Sequence, residues 1–113
     1  MKIEHINIGD LEIKFTIGKS AKENFEIIDS AKSQDLWFHI EGYPSGHVIA
    51  SIPNGLEKDI LKYIAKQGAV VCKKHSKYAS YTNIPIVYTK IQNVKKTKIL
   101  GSVITKDTKI IKI

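Results

Sequence analysis

Apolar and polar residues alternate at the start of the chain in a pattern that predicts a β-hairpin. Apolar side chains occupy every second position on both sides of a Gly9-Asp10 pair, from Ile6 and Ile8 to Leu11 and onward to Ile17. Strand-like alternation around a two-residue Gly-Asp turn is typical of a hairpin. We therefore expect strands over residues 2–8 and 11–17.

Two later segments have the periodicity of helices. Ser20-Ala21-Lys22-Glu23 matches a capping box, and the apolar spacing that follows predicts a helix over residues 21–32. Asn54 offers a second N-cap, with Glu57 three residues further on. The apolar face after it predicts a helix over residues 56–72.

The remaining apolar runs are short and predict strands. Residues 35–40 and 47–52 flank a Tyr43 to Gly46 turn, so we expect them to pair antiparallel. Further strands are predicted over the ranges 84–89, 99–104 and 109–113. The whole pattern predicts a single α+β domain over residues 1–113, with a mostly antiparallel sheet and two main helices.

The segment from Leu36 to Glu41 places different chemistry on the two faces of its strand. Leu36, Phe38 and Ile40 point one way, whereas Trp37, His39 and Glu41 point the other. We expect the first face to be core and the second to carry a site. A lone Trp in a small domain is more often partly buried core, and the alternative for Trp37 is a stacking platform for an unpaired base. Three tyrosines among the lysines of the second half fit the same interpretation: Tyr78, Tyr81 and Tyr88.

Charge is distributed unevenly along the chain. Residues 1–59 contain 6 Lys and 10 acidic residues, whereas residues 60–113 contain 12 Lys and only Asp107 as an acid. Such a basic half indicates a surface for a polyanion. Lys58, Lys62 and Lys66 lie at successive i,i+4 positions and predict a row that tracks phosphates. Because the chain has no arginine, we expect contacts to the nucleic-acid backbone instead of base edges.

Other kinds of chemistry have less support in the residues. A metal set of His39, Glu41 and His47, completed by Cys72 or His75, lacks the paired spacing of zinc sites. Hydrogen bonding by the two histidines is favoured instead, so we expect no cofactor and no enzyme, with a metal-dependent nuclease as a remaining alternative. The sequence before Lys19 lacks the glycine of a P-loop, although a helix N-terminus beside this lysine is a plausible anion site.

Compartment and solubility also follow from the sequence. No run approaches the length of about 18 apolar residues that a membrane span requires. The single Cys72 cannot form an internal disulfide, which fits a reducing environment. We expect a soluble cytosolic protein without membrane contact.

An ordered set of motifs runs through nearly the whole chain. They are Gly18-Lys19-Ser20-Ala21 with Asn24, Asp35-Leu36-Trp37-Phe38-His39, Pro44-Ser45-Gly46-His47-Val48, Ser76-Lys77, Val87-Tyr88-Thr89 and Val94-Lys95-Lys96. Together they resemble the NFACT-R domain, the RNA-binding module of ribosome-quality-control factors of the NFACT family, including the RqcH type. The resemblance covers residues from about 13 to 112.

The resemblance implies an α+β fold and RNA binding, with tRNA or rRNA as the ligand and the large ribosomal subunit as a partner. DNA remains a second ligand to test, and the alternative function is a protein-interaction adaptor that docks on a ribosomal protein or on an NFACT partner. Tyr78 stands where the family often has an arginine, which removes one expected phosphate contact. The other NFACT domains are missing, so we expect a stand-alone module. The candidate RNA-binding residues are Lys19, Trp37, His39, Ser45, His47, Lys62, Lys66, Lys74, Ser76, Lys77, Lys95 and Lys96.

Overall fold

A computed structural model describes all residues from 1 to 113 as one α+β domain. Its strands are β1 (Lys2–Ile8), β2 (Leu11–Ile17), β3 (Leu36–Ile40), β4 (Val48–Ala50), β5 (Pro85–Lys90), β6 (Val94–Lys96), β7 (Val103–Thr105) and β8 (Lys109–Lys112). Its helices are α1 (Ala21–Ser30) and α2 (Lys58–Lys74), with a short 3-10 turn at Ile91–Asn93. Six strands form an antiparallel sheet in the order β1-β2-β4-β3-β5-β8, and β6 pairs with β7 in a separate hairpin.

The predicted N-terminal hairpin is confirmed, with Ile8 opposite Leu11 at its turn. Gly9 has a φ of +60°, a conformation that glycine adopts without a steric penalty. The predicted antiparallel pairing of β3 with β4 is also confirmed. The long 11–17 strand therefore connects the hairpin to the centre of the sheet, because β4 also pairs with β2.

The two helices form where predicted, with differences at their ends. At α1 the Ser20 hydroxyl accepts a hydrogen bond from the Glu23 N–H (3.1 Å), which confirms Ser20 as N-cap, and the helix ends at Ser30. At α2 the predicted Asn54 cap is wrong: the helix begins at Lys58 and no side chain caps it. Gly55, with a φ of +77°, turns the chain first and delays the helix. Neither helix is long and apolar enough to cross a membrane.

Both faces of the sheet are covered, which corrects the expectation that only one face is core. Helix α2 packs on the face that carries Phe38, and Gly68 allows the close approach, because a Cβ there would lie 2.2 Å from the Phe38 Cζ. Helix α1 and the β6-β7 hairpin contribute to a second cluster, in which Trp37 packs with Ile27 and Val87. Because both faces of β3 are covered, a ligand can reach this strand only at its end.

The predicted strand over residues 99–104 is wrong for residues 99–102, and only its end is a strand, β7 (Val103–Thr105). The chain forms β6 and β7 around a turn, in which the Thr97 hydroxyl accepts from the Ile99 N–H (3.2 Å) and donates to the Ser102 carbonyl (3.0 Å). Gly101 allows this turn with a φ of +83°. As a consequence, Ile99 and Leu100 lie at the tip of the hairpin and are 71% and 57% exposed.

Candidate nucleic-acid interface

A groove of about 790 Å³ runs between the first half of α2 and the ends of β3, β5 and β8. Its floor is largely apolar, with Leu36, Leu61 and Tyr88 among its lining residues. Its rim carries four lysines from three elements: Lys58, Lys62, Lys90 and Lys109. We call this feature the lysine groove. It is open and basic, as a binding surface for an extended polyanion must be.

Acidic side chains compensate the positive charge of the groove lysines very little. None of the four forms an ion pair, and Asp107 is the only acidic residue that lines the groove. By contrast, Lys74 binds Glu4 at 2.9 Å, and Lys96 pairs with Asp29 while it lies over the Phe25 ring. The four lysines of the groove thus share one depression without an ion-pair partner, as most lysines of the chain do.

Buried polar residues hold the walls of the lysine groove. The carboxylate of Asp35 accepts hydrogen bonds from the backbone N–H groups of Lys32 (2.9 Å) and Ile52 (2.9 Å), and its carbonyl accepts from Ile91 N–H (2.8 Å). Thr89 is hydrogen-bonded through its hydroxyl to the Lys106 and Asp107 carbonyls, both at 3.1 Å. Three segments distant in sequence are thus fixed around the groove.

The floor contains a half-buried tyrosine. The Tyr88 ring stacks on Phe38 with centroids 5.7 Å apart, which fixes its orientation. Burial raises the pKa of the Tyr88 hydroxyl, so it remains protonated and can donate a hydrogen bond. This places one aromatic donor beneath the lysines.

The structure divides the lysines predicted from the sequence into separate regions. Lys62 lines the groove and Lys66 lies on the same exposed row of α2, whereas Lys74 and Lys77 lie at the far end of that helix. Lys19 precedes α1, and Lys95 and Lys96 belong to β6. The sequence analysis missed Lys90 and Lys109 because only the sheet order brings the ends of β5 and β8 beside α2.

Trp37, His39 and His47 do come together. The Trp37 indole N–H donates to His47 Nδ1 at 3.1 Å, and the His39 ring stacks parallel to the indole with centroids 5.9 Å apart. The His39 and His47 rings meet edge to face at 5.0 Å. Only 3% of Trp37 is exposed, which confirms that it is core and makes the alternative, stacking on a base, wrong. Trp37 instead orients His47.

The two histidines are neutral near pH 7. Burial lowers the pKa of His47 to about 3, with a further contribution from nearby His39, and burial also lowers the pKa of His39. Because His47 Nδ1 accepts the Trp37 hydrogen bond, the proton of the neutral ring is on Nε2. A neutral imidazole attracts a phosphate much less than an imidazolium does, so these residues do not add to the positive charge of the lysines.

The loop that carries His47 is locked to the start of α1. The Asn24 side-chain oxygen accepts from the His47 N–H (3.0 Å), and the Gly18 N–H donates to the His47 carbonyl (2.9 Å). A Cβ on Gly46 would lie 2.2 Å from the Gly18 carbonyl oxygen, and one on Gly18 would lie 2.3 Å from Asn24 Oδ1. These glycines are required by close packing, which explains why the motifs around residues 18–24 and 44–48 occur together.

The two predicted serines have structural contacts. Ser45 Oγ accepts from the Ile40 N–H at 3.2 Å and so closes the turn after β3. Ser76 Oγ donates to the Lys73 carbonyl (2.7 Å) and accepts from the Tyr78 N–H (3.1 Å), which ends α2. These backbone hydrogen bonds account for both hydroxyls without a contact to a ligand.

The residues considered as metal ligands are not brought together. No group of three or more histidine, cysteine or acidic side chains could hold one ion. Cys72 lies on the buried face of α2, where burial raises the pKa of its thiol to about 12, and His75 lies beside Glu4 at 3.2 Å. The pKa of Glu4 is lowered chiefly by its hydrogen bond from Lys74. These groups serve packing and local ion pairing.

A small aromatic cluster lies beyond the end of α2. The Tyr43 and Tyr78 rings are 5.2 Å apart, and Tyr81 meets Tyr78 edge to face at 5.6 Å. Tyr43 and Tyr81 are more than half exposed. Of the tyrosines noted in the sequence, Tyr78 and Tyr81 thus share this cluster, whereas Tyr88 belongs to the lysine groove.

Fold and surface together define the class of protein: a small α+β domain with an antiparallel sheet, a helix on each face and one basic groove. The family model described as "NFACT protein RNA binding domain" matches residues 11–112. The chain belongs to this family of RNA-binding domains, as its motifs predicted.

Individual relatives agree with this assignment. The chain is 35% identical over 83 residues to coiled-coil domain-containing protein 25 of Danio rerio, and 28% identical over 81 residues to the Rqc2 homolog RqcH of Bacillus subtilis. These matches cover 72% and 71% of the chain but only 40% and 13% of the relatives. The chain thus corresponds to less than half the length of these proteins.

A solved structure has the same fold. The C-terminal part of the fibronectin/fibrinogen-binding protein from Streptococcus suis superimposes with a TM-score of 0.81 and 20% identity. The match covers 100% of this chain and 45% of the other. At this identity the similarity establishes the fold alone.

Proposed function

We propose that the protein binds structured RNA, tRNA or rRNA, by holding the phosphate backbone in the lysine groove. The observation that carries the proposal is the convergence of Lys58, Lys62, Lys90 and Lys109 on one groove without an ion-pair partner. Membership of an RNA-binding domain family supports RNA as the polyanion. Similarity to RqcH supports a role in ribosome quality control, and the large ribosomal subunit is the partner that we propose. The protein acts as a binding module and not as an enzyme.

The geometry suits backbone recognition. Lysines on both rims can contact phosphates, while the apolar floor and the Tyr88 hydroxyl lie against sugars. A lysine ammonium is a flexible point charge and carries no sequence readout by itself. The groove therefore provides affinity and discriminates by the shape of the RNA. Duplex DNA competes to the extent that its backbone fits the same groove.

Neutralising the groove tests the proposal. In the groove variant, all four rim lysines are changed to glutamine, and binding of bulk tRNA is measured by fluorescence anisotropy across a salt series. Each phosphate contact contributes roughly 0.7–0.9 to the slope of log K against log salt, so the slope should fall by up to about 3. Single-stranded RNA and duplex DNA, measured in parallel, report the preference.

A matched control separates the groove from net charge. The control variant changes four exposed lysines that lie on β1, β2, α1 and the end of β8: Lys2, Lys14, Lys22 and Lys112. It has the same net charge as the groove variant but keeps the groove. Equal loss of affinity and slope in the two variants would refute the groove as the RNA site.

One observation favours the adaptor as a second candidate. Ile99, Leu100 and Ile104 expose large apolar side chains on the β6-β7 hairpin, at 71%, 57% and 66%. Exposed apolar patches mark protein contacts more often than nucleic-acid contacts. If the protein docks on a ribosomal protein, retention on purified large subunits should resist salt and be lost with Ile99→Ser and Leu100→Ser, while the groove variant retains it.

A further inference from the structure

A second cavity, separate from the lysine groove, lies on the α1 side of the sheet. It has a volume of about 350 Å³ and lies between the end of β3 and the β6-β7 hairpin. Its polar side chains are two imidazoles, three hydroxyls and one carboxylate: His39, His47, Ser102, Thr105, Thr108 and Glu41. We call it the histidine cavity. Its size is at the small end of ligand pockets, which span roughly 300–1,000 Å³.

Several polar atoms of the histidine cavity form no hydrogen bond within the chain. His47 lines the cavity, and its Nδ1 is occupied by Trp37, whereas its Nε2–H forms no hydrogen bond within the chain. The side chains of Thr89, Asn93 and Thr97 nearby are hydrogen-bonded within the chain. By contrast, the three hydroxyls of the cavity have no hydrogen-bond partner. Each hydroxyl can donate and accept. The cavity therefore offers neutral donors and acceptors together.

The electrostatics exclude a phosphate as the preferred occupant. No lysine lines the histidine cavity, and the exposed Glu41 carboxylate at its edge repels anions. An aliphatic ligand would leave the imidazole N–H and the hydroxyls without partners, which is unfavourable. The cavity instead matches a flat, uncharged ring with polar atoms along its edge.

Aromatic surface completes this match. The His39 ring is only partly buried and lies parallel to Trp37, which fixes its plane. Aromatic side chains stack on unpaired nucleobases, whose edges carry the donors and acceptors that the cavity can pair. The indole contributes by holding both histidines, through the stacking contact with His39 and the hydrogen bond to His47.

The histidine cavity and the lysine groove share a border. Thr108 lines the cavity, whereas Asp107 and Lys109, its neighbours in the chain, line the groove. A polynucleotide whose backbone lies in the groove can therefore reach the cavity across the β7–β8 connection. We propose that the histidine cavity binds one unpaired nucleobase of the RNA. This inference rests on the proposed function and adds the recognition of an unpaired nucleotide.

The sole tryptophan provides the test. The chain has one indole N–H, that of Trp37, and it bonds a wall residue of the cavity. In a ¹⁵N–¹H spectrum of the full chain, titration with adenosine, guanosine, cytidine or uridine should shift this signal, and inorganic phosphate should not. Nucleosides are used because they lack the phosphate that the lysines would bind. A signal that no nucleoside moves at millimolar concentration, or that phosphate moves instead, would overturn the inference.

Two conservative variants place the nucleoside in the cavity. Thr105→Val removes one hydroxyl from the wall and should weaken nucleoside binding about two- to tenfold, the range for one hydrogen bond. Thr82→Val, outside the cavity and exposed, is the matched control. Ser102→Ala, with the exposed Ser80→Ala as control, repeats the test if the first variant does not fold. Equal affinity in each variant and its control would refute the assignment.

The outcomes separate this inference from the proposed function. If nucleosides do not bind but the groove variant still weakens tRNA binding, the cavity assignment is wrong and RNA binding stands. If nucleosides bind but tRNA affinity does not depend on the four groove lysines, the cavity stands and the proposed backbone site is wrong.

Discussion

The buried His47 should make the fold sensitive to mild acid. Its pKa is about 3 in the folded protein against 6.5 for an unperturbed histidine. The unfolded chain therefore binds a proton below pH 6.5 that the folded chain does not bind until about pH 3, so stability falls as the pH falls through this window. For one such group the free energy of unfolding should decrease by about 2 kcal/mol between pH 7 and pH 5.

The interval from pH 7 to pH 5 isolates histidine effects. The lowered pKa values of Glu4 and Glu23 also destabilise the fold in acid, but only as the pH approaches and passes below 4.5, their ordinary value. His39, whose pKa is also lowered by burial, adds to the loss in the same direction. Urea unfolding, followed by the fluorescence of Trp37, measures the free energy at pH 5, 6 and 7.

His47→Asn isolates the contribution of one ring. The Asn amide oxygen can take the place of Nδ1 as acceptor for the Trp37 N–H, but it does not titrate. The variant should lose about 2 kcal/mol less than the native chain between pH 7 and pH 5. His5→Asn, which changes a side chain that is 52% exposed, should keep the native pH dependence. An unchanged dependence in His47→Asn would refute the neutral, buried state of His47.

Two further predictions concern packing. Gly46→Ala should destabilise the fold by roughly 1–3 kcal/mol, because its Cβ would meet the Gly18 carbonyl oxygen. In the control Gly55→Ala the new Cβ meets no atom, so this change should cost only the strain of a φ of +77°. Urea unfolding measures both losses of stability, and equal losses would contradict a close-packed junction. The Cys72 thiol, with a pKa raised to about 12 and 2% exposure, should react with iodoacetamide at pH 8 only when the chain unfolds; fast alkylation without urea would contradict its burial.

Local patterns predicted the elements of this fold, and their failures have local causes. The Gly9-Asp10 hairpin and the Ser20 cap depend on neighbouring residues, so the sequence was sufficient for both. The apolar run near Ile99 resembled a strand, but the Thr97 hydroxyl and Gly101 turn the chain there and leave Ile99 exposed. Apolar content alone does not separate a strand from the tip of a hairpin.

The histidine cluster was predictable as a set of residues but not as a mechanism. The motif around Trp37 and His47 marked the right region, because both residues contribute to one cluster. Alternation along β3 implied that Trp37 faces away from the core, and its side chain does lie on the face of the sheet opposite α2. The sequence could not show that α1 and the β6-β7 hairpin cover the other face. Packing between distant segments decides between the two alternatives for Trp37 and makes it a buried residue that orients His47.

Spatial pairing, and not the count of lysines, determines where a polyanion can bind. The second half of the chain has eleven more lysines than acidic residues, yet Lys74 and Lys96 are paired with Glu4 and Asp29 from the first half. The acids of the N-terminal half thus compensate part of the basic half after folding. The groove escapes this compensation, since Asp107 is the only acid in its lining. Only Lys74 and Lys96 of the eighteen lysines are paired, so what distinguishes the groove is that four lysines from three separate elements meet around one depression.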